Sequence, residues 1–182
     1  MTGNGTAGRQ QLRIVDGYNV LRSGSRYQRI DDPDYTDDWF NAARDALVND
    51  VINFAGREWR AIVVFDGGGN AFSAGEATSL GGVRIVFSPA GQSADKVIEK
   101  LAHDARERQV ETLVVSSDAT IQDTVFGFGV DRMSAEGFCR ELGAYYEDAR
   151  LDDAPKVSRK NTVADRIPSD TLAKLMRMRD GR

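Results

Sequence analysis

Ala61-Ile62-Val63-Val64-Phe65-Asp66 is a run of five apolar residues, three of them β-branched, stopped by an acid. A strand with one wet face would alternate apolar and polar residues. This run instead predicts a strand covered on both sides, as in a parallel sheet. Three similar runs lie on either side of it. Leu12-Arg13-Ile14-Val15 ends at Asp16, Val83-Arg84-Ile85-Val86-Phe87 is stopped by Ser88-Pro89, and Thr112-Leu113-Val114-Val115 leads into Ser116-Ser117-Asp118. The segments between them carry a helical period. Residues 39–54 place Phe40, Ala43, Leu47, Val51 and Phe54 three or four apart. Residues 94–108 do the same with Val97, Ile98, Leu101 and Ala105 behind Ser93 as N-cap, and residues 134–145 with Phe138 and Leu142. Strands alternating with helices predict an α/β fold, a three-layer sandwich with a mainly parallel central sheet. The glycine-rich stretch Gly67–Gly82 reads as a loop, and Gly127-Phe128-Gly129 as the end of a helix. A short basic helix is expected to begin near Ser169, with Leu172, Leu175 and Met176 on one face.

The chain has 182 residues, about one domain with room for a tail. The expected division is a disordered polar N-terminus at 1–11, the sandwich domain at 12–150 and a basic C-terminal extension at 151–182. One cysteine, Cys139, excludes an internal disulfide and a cysteine-rich zinc site. No apolar run approaches the roughly 20 residues of a membrane helix, and the N-terminus lacks the apolar core of a secretory signal. The expected location is the cytoplasm, with no membrane partner; monomer is favoured over oligomer. The net charge of −4 is unevenly spread. From Pro155 onward eight lysines and arginines face three aspartates, a net +5, while the remainder holds 16 basic and 25 acidic residues, a net −9. Lys174, Arg177 and Arg179 in that tail are candidates for holding a polyanion near an acidic site; a merely solubilising tail is the plain alternative.

In open parallel sheets, ligands bind at the carboxyl ends of the strands. Asp16, Asp66 and Asp118 sit at or just beyond such ends, and Asp95 opens the helix after the third run. Glu99 follows Asp95 by four residues and shares its helix face. Taken singly, an aspartate after a strand is more often a turn former or a helix cap. Gathered on one rim, the acids repel one another unless cations or protons offset the charge. Hard oxygen donors without histidine or thiol favour Mg²⁺ or Mn²⁺, and such a cluster suits phosphodiester hydrolysis. Other chemistries lack support. His103 is the only histidine and lies mid-helix with no nucleophile suggested beside it. Gly67-Gly68-Gly69 lacks the phosphate-loop pattern, and Asp16-Gly17-Tyr18 is not the Asp-x-Asp of an aspartyl phosphatase. Tyr145-Tyr146 reads as packing against the sheet rather than as a base-stacking platform.

Val15-Asp16-Gly17-Tyr18-Asn19 resembles the strand-end motif that opens NYN domains, a branch of the PIN-like nuclease superfamily. Four further segments occur in the order seen in the YacP-like NYN family: Val63-Val64-Phe65-Asp66-Gly67, Ser93 to Lys100, Ser116-Ser117-Asp118 and Phe126-Gly127-Phe128-Gly129. Arg132 and Ser134 match as well. The resemblance covers roughly Arg13 to Glu147, and the basic helix near Ser169 is similar to that family's C-terminal end. It implies a PIN-like fold with a divalent-metal site at Asp16, Asp95 and Asp118. It further implies that Asn19 orients water or substrate phosphate, that Asp66 and Glu99 bind metal indirectly or support its ligands, and that Arg132 meets a backbone phosphate. Characterised relatives include ribosome-associated endoribonucleases, so RNA is the implied substrate and the ribosome a partner. The sequence thus points to a metal-dependent endoribonuclease using Mg²⁺ or Mn²⁺, with Asp16, Asn19, Asp95 and Asp118 as its catalytic residues. The rivals are an RNA- or ribosome-binding module without catalysis and a nuclease acting on DNA or structured flaps.

Overall fold

The computed structural model describes residues 11–23, 25–27, 37–55, 59–67 and 75–153. The chain divides into two units, Met1–Asp148 and Ala149–Arg182; everything below concerns the first. The candidate residues Lys174, Arg177 and Arg179, the basic helix and residues 1–10 of the polar N-terminus lie outside the described residues; Gln11, expected in that N-terminus, opens the first strand.

Strand β1 (Gln11–Asp16) leads straight into helix α1 (Gly17–Ser23) and a short 3-10 turn (Ser25–Tyr27), and then comes helix α2 (Asp37–Ala55). Strand β2 (Trp59–Phe65), strand β3 (Ala77–Leu80) and strand β4 (Val83–Phe87) follow, then helix α3 (Ala94–Glu107). Strand β5 (Thr112–Val115), helix α4 (Ala119–Thr124), strand β6 (Val130–Met133) and helix α5 (Ala135–Asp153) complete the order. The sheet runs β3-β4-β2-β1-β5-β6, parallel throughout except for the antiparallel β3–β4 pair. The chain builds from β1 outward to β4, then returns through α3 to lay β5 on the other side of β1. The β1–β5 boundary is therefore the switch point at which open α/β sheets form their ligand crevice.

The expected three layers are present. Alternate strand residues feed two cores. Val15, Val63, Phe65, Leu113 and Val115 pack with α1, α2 and α5. Ile14, Ile62, Val64 and Val114 pack with α3 and α4 on the opposite face. On α2, Ala43, Leu47 and Val51 are buried as the period predicts and Phe54 is partly buried. Each fully buried Leu or Val of this kind contributes about 1.5–3 kcal/mol. α3 meets the sheet through Ala94, Ile98, Ala102 and Ala105, with Val97 and Leu101 at the margin of that contact. Arg13 ties β1 to α5, with its guanidinium 3.4 Å from the Trp59 ring centroid and bonded to Glu141 at 3.0 Å.

Three expectations need correction. The Gly67–Gly82 loop contains β3, which turns into β4 through Gly81 and Gly82 at φ 55° and 83°. Leu80 pairs with Val83 across those two residues, so the glycines supply the positive φ that a two-residue hairpin of this hand requires. β6 is a further parallel strand whose sequence, Val130-Asp131-Arg132-Met133, is half polar because it lies on a sheet edge. The Gly127–Gly129 turn does not end a helix, since α4 finishes at Thr124 with Val125 as its C-cap. The turn instead leads into β6, and the Gly129 carbonyl accepts the Thr112 N–H at 3.0 Å.

Candidate functional site

Each parallel strand hands its last residue or the next one to the same rim, and that residue is an acid or a hydroxyl: Asp16, Asp66, Ser88, Ser116, Ser134. The geometry around the β1–β5 boundary is the most constrained. Asp16 is 6% exposed. Its Oδ1 accepts the Asn19 N–H at 3.1 Å, and its Oδ2 accepts the Ser116 hydroxyl at 3.0 Å. Asn19 in turn accepts the Ser117 N–H at 2.7 Å through its side-chain oxygen. The first turn of α1 is thereby bonded to the loop after β5.

Gly17 is needed next to Asp16 because of packing rather than backbone conformation. A Cβ there would lie 2.3 Å from Phe65 Cε1. That ring stacks on Phe87 and tilts against Tyr18, with centroids 5.6 and 5.2 Å away. It therefore has no room to withdraw.

On the far side of the boundary, Ser116 is buried and its hydroxyl also accepts the Asp118 N–H at 3.1 Å. Asp118 caps α4, its Oδ1 accepting from the Thr120 and Ile121 amides at 2.8 and 3.3 Å. The bland reading of that aspartate is thus realised in the structure, in a residue that also stands within electrostatic reach of Asp16 and Asp95. Gln122 closes the loop by donating to the Ser116 carbonyl at 2.7 Å. Asp66 accepts from the buried Ser88 hydroxyl at 3.2 Å, and that hydroxyl accepts the Gly67 N–H. Ser93 holds the N-cap position of α3 without a side-chain cap bond. Asp95 and Glu99, half-buried, follow on that helix.

Burial is the main force on the Asp16 carboxyl and pushes it up to about 6. The Asn19 N–H and Ser116 hydroxyl oppose that rise, and Asp95 and Asp118 add to it. The Asp95 carboxyl is raised as well, first by burial, then by the charges of Asp118, Glu99 and Asp66. The five predicted acids therefore share one field. Among the described residues, however, no three histidine, cysteine, aspartate or glutamate side chains are placed closely enough to hold a metal ion. The acids share a rim without forming a ready cage. The donor set still suits a hard divalent cation. It offers only carboxylate oxygens, and the described hydrogen bonds to Asp16 all come from neutral groups.

Arg132 is committed locally. It donates to the Gln122 carbonyl at 2.6 Å, stands 3.8 Å from Asp123 and lies over the Phe126 ring. Sequence reasoning used Ser88 only as a strand stop and Ser116 only as part of a motif, and passed over Gln122. The signal available was positional, a hydroxyl one step past an apolar strand. His103 is exposed, with its Nδ1 3.1 Å from Arg106 Nη2. Tyr145 is partly exposed, and the Tyr146 hydroxyl donates to Asp50 at 2.8 Å.

The profile of the YacP-like NYN domain family matches residues 13–180, through the basic extension. The chain is 31% identical over 132 residues to the uncharacterized protein YacP of Bacillus subtilis strain 168, covering 72% of this chain and 74% of that one. It is similar to the crystal structure of Rae1 (YacP) from Bacillus subtilis. The TM-score is 0.63 at 25% identity, over 94% of this chain and 96% of that one. The crystal structure of a point mutant of Rae1 gives a TM-score of 0.64 at 24% identity, over 91% of this chain and 98% of that one, a likeness of fold. The chain belongs to the YacP-like NYN domain family, a branch of the PIN-like nuclease superfamily.

Proposed function

We propose that the protein is a divalent-metal-dependent endoribonuclease that hydrolyses RNA phosphodiester bonds. Its proposed setting is the cytoplasm, on messenger RNA at the ribosome. The observation that carries this reading is the buried Asp16 carboxylate at the switch point, raised to about 6 and sharing the field of Asp95 and Asp118. Burying a carboxylate without a counter-charge is costly, so a fold that keeps one there is prepared for a cation. Asp16, Asp95 and Asp118 would hold Mg²⁺ or Mn²⁺, with Asp66 and Glu99 in support. When bound, the ion supplies positive charge at the scissile phosphate and makes water a better nucleophile.

The protein's own residues arrange this site. Ser116 and the Asn19 N–H fix both Asp16 oxygens, and the Asn19–Ser117 bond holds the two sides of the crevice together. Ser88 holds Asp66. Asp95 stands in the first turn of α3, and Asp118 caps α4.

A second reading, an RNA-binding module without catalysis, draws on two observations. Asp118 commits an oxygen to capping α4, and no three acids converge among the described residues. Calorimetric titration of Mn²⁺ into wild type and Asp95→Asn, both confirmed folded by circular dichroism, separates the two. The expected result is binding in wild type that weakens in the variant, together with Mn²⁺-dependent RNA cleavage that the variant loses. Full cleavage by Asp95→Asn would sink the proposed site; RNA binding without cleavage in wild type would select the binding module.

A further inference from the structure

A groove of about 620 Å³ runs along α3 against the β2–β4 part of the sheet, from Pro89, Gln92 and Lys96 after the carboxyl end of β4 to Arg60 and Arg108 at the other end. Its floor is apolar, from Ile62, Val86, Val97 and Leu101. Its sides carry five cations, Arg60, Arg84, Lys96, Lys100 and Arg108, against a single acid, Asp104. All five cationic residues are exposed, and none makes an ion pair among the described residues. In a chain of net charge −4 this is a local inversion of sign, and a concave surface lined by cations attracts a polyanion.

The arrangement along α3 gives the groove a direction. Lys96 and Lys100, four residues apart, share one flank of α3, and Arg108 is the C-cap at the far end of that helix. They span twelve residues, about 18 Å, enough for several phosphates of an extended strand. Asp95 and Glu99 sit one position earlier each, on the adjoining flank. The cationic stripe therefore ends at Lys96, next in sequence to Asp95. An extended single strand exposes both phosphates and base faces, which a duplex does not. The groove's apolar floor suits base faces, while the cations suit the backbone.

We propose that this groove guides single-stranded RNA to the acidic rim, with Lys100 and Arg108 gripping phosphates away from the one that is cut. The proposal rests on the endoribonuclease reading above and names where its substrate lies. Lys100→Ala/Arg108→Ala removes two exposed charges that are not among the proposed metal ligands. The full chain and this variant, checked by circular dichroism, are titrated into a fluorescein-labelled 20-nucleotide oligouridylate in EDTA, and anisotropy is followed across a salt series. The variant is expected to bind at least about tenfold more weakly. Its log–log salt dependence should be shallower by about 1.4, or about 0.7 per lost phosphate contact. With Mn²⁺ added, the variant should cut the 20-mer more slowly than wild type does. Lys100→Arg/Arg108→Lys should restore binding.

An unchanged affinity and salt slope would overturn the groove, whatever the cleavage rate. Competition by duplex RNA as effective as that by the single strand would overturn the single-strand assignment. If no protein cuts any RNA but the binding difference persists, the nuclease reading fails and the groove stands.

Discussion

The Ser116 hydroxyl donates to Asp16 Oδ2 at 3.0 Å, joining two strand ends 100 residues apart in sequence. Because the same serine oxygen also accepts the Asp118 N–H, the hydroxyl's own proton is committed to Asp16. One serine thus couples the acid ending β1 to the backbone of the acid that follows β5. These bonds orient the Asp16 carboxylate without neutralising it. Two neutral donors offset part of its burial cost, and the carboxyl still rises to about 6. The fold therefore carries an electrostatic strain at this carboxylate that its two hydrogen bonds do not fully offset.

That strain predicts a stabilising loss-of-function variant. The Asp16 carboxyl goes from an ordinary 3.8 to about 6, so the folded state holds its proton more tightly than the unfolded chain. Its favourable contribution is complete below about pH 4 and is lost as pH rises through about 6. A tenfold change in proton affinity is worth about 1.4 kcal/mol. In EDTA, wild type should therefore lose up to about 2–3 kcal/mol between pH 4 and pH 7.5. Asp16→Asn should escape that loss, melting several degrees higher at pH 7.5 and about level at pH 4. Adding Mn²⁺ should raise the melting temperature of wild type and not of the variant. A variant that melts lower than wild type at pH 7.5 in EDTA would contradict the account.

Asn19 makes a different prediction. Its side-chain oxygen is occupied by the Ser117 N–H at 2.7 Å, so its contribution runs through the crevice walls. Asn19→Ala should cost about 1 kcal/mol of stability and lower cleavage by loosening the loop that carries Ser116 and Asp118. Asn19→Asp preserves an acceptor for Ser117 but adds a charge beside Asp16. It should keep the bond and raise the pH midpoint of the EDTA melting profile. Equal melting profiles for wild type and Asn19→Asp would show that position 19 is electrically remote from Asp16.

The central sheet was legible because strands covered on both faces must be continuously apolar, and the four runs at 12–15, 61–65, 83–87 and 112–115 are nearly so. The two edge strands were not legible by that rule. Ala77–Leu80 is fully exposed and Val130–Met133 half polar, since an edge strand has less to bury. Leu80-Gly81-Gly82-Val83 nevertheless carried a two-residue hairpin signal. The acids were placed on one rim from strand ends alone, and the shared field of Asp16, Asp95, Asp118, Asp66 and Glu99 agrees with that placement. What strand ends do not encode is which bonds each side chain makes. Asp118 caps a helix and Arg132 braces a loop, because those bonds depend on backbone groups brought close by the tertiary fold.

A second buried aspartate tests the logic by the opposite sign. Asp50, 9% exposed on α2, accepts the Tyr27 hydroxyl at 2.6 Å, the Tyr146 hydroxyl at 2.8 Å, and Arg26 Nε and Nη2 at 2.7 and 3.3 Å. Unlike Asp16 it has a cation partner, and its bonds join α2 to the 3-10 turn and to α5. Burial raises the Tyr27 hydroxyl pKa and the Asp50 carboxylate raises it further, while the bond to Asp50 holds the Arg26 guanidinium above its ordinary value. Removing one partner of a fully buried pair costs about 3–5 kcal/mol. Arg26 remains partly in contact with water, which places Asp50→Asn at or just below that range. Urea melts at pH 7.5 should therefore show Asp50→Asn destabilised by about 2–3 kcal/mol, while Asp16→Asn is stabilised in the same buffer. The folded fraction of Asp50→Asn should cleave RNA at the wild-type rate, since none of its bonds reaches the acidic rim. If both variants moved stability in the same direction, burial alone would govern these two carboxylates. The distinction between a buried acid with a cationic partner and one without would then be lost.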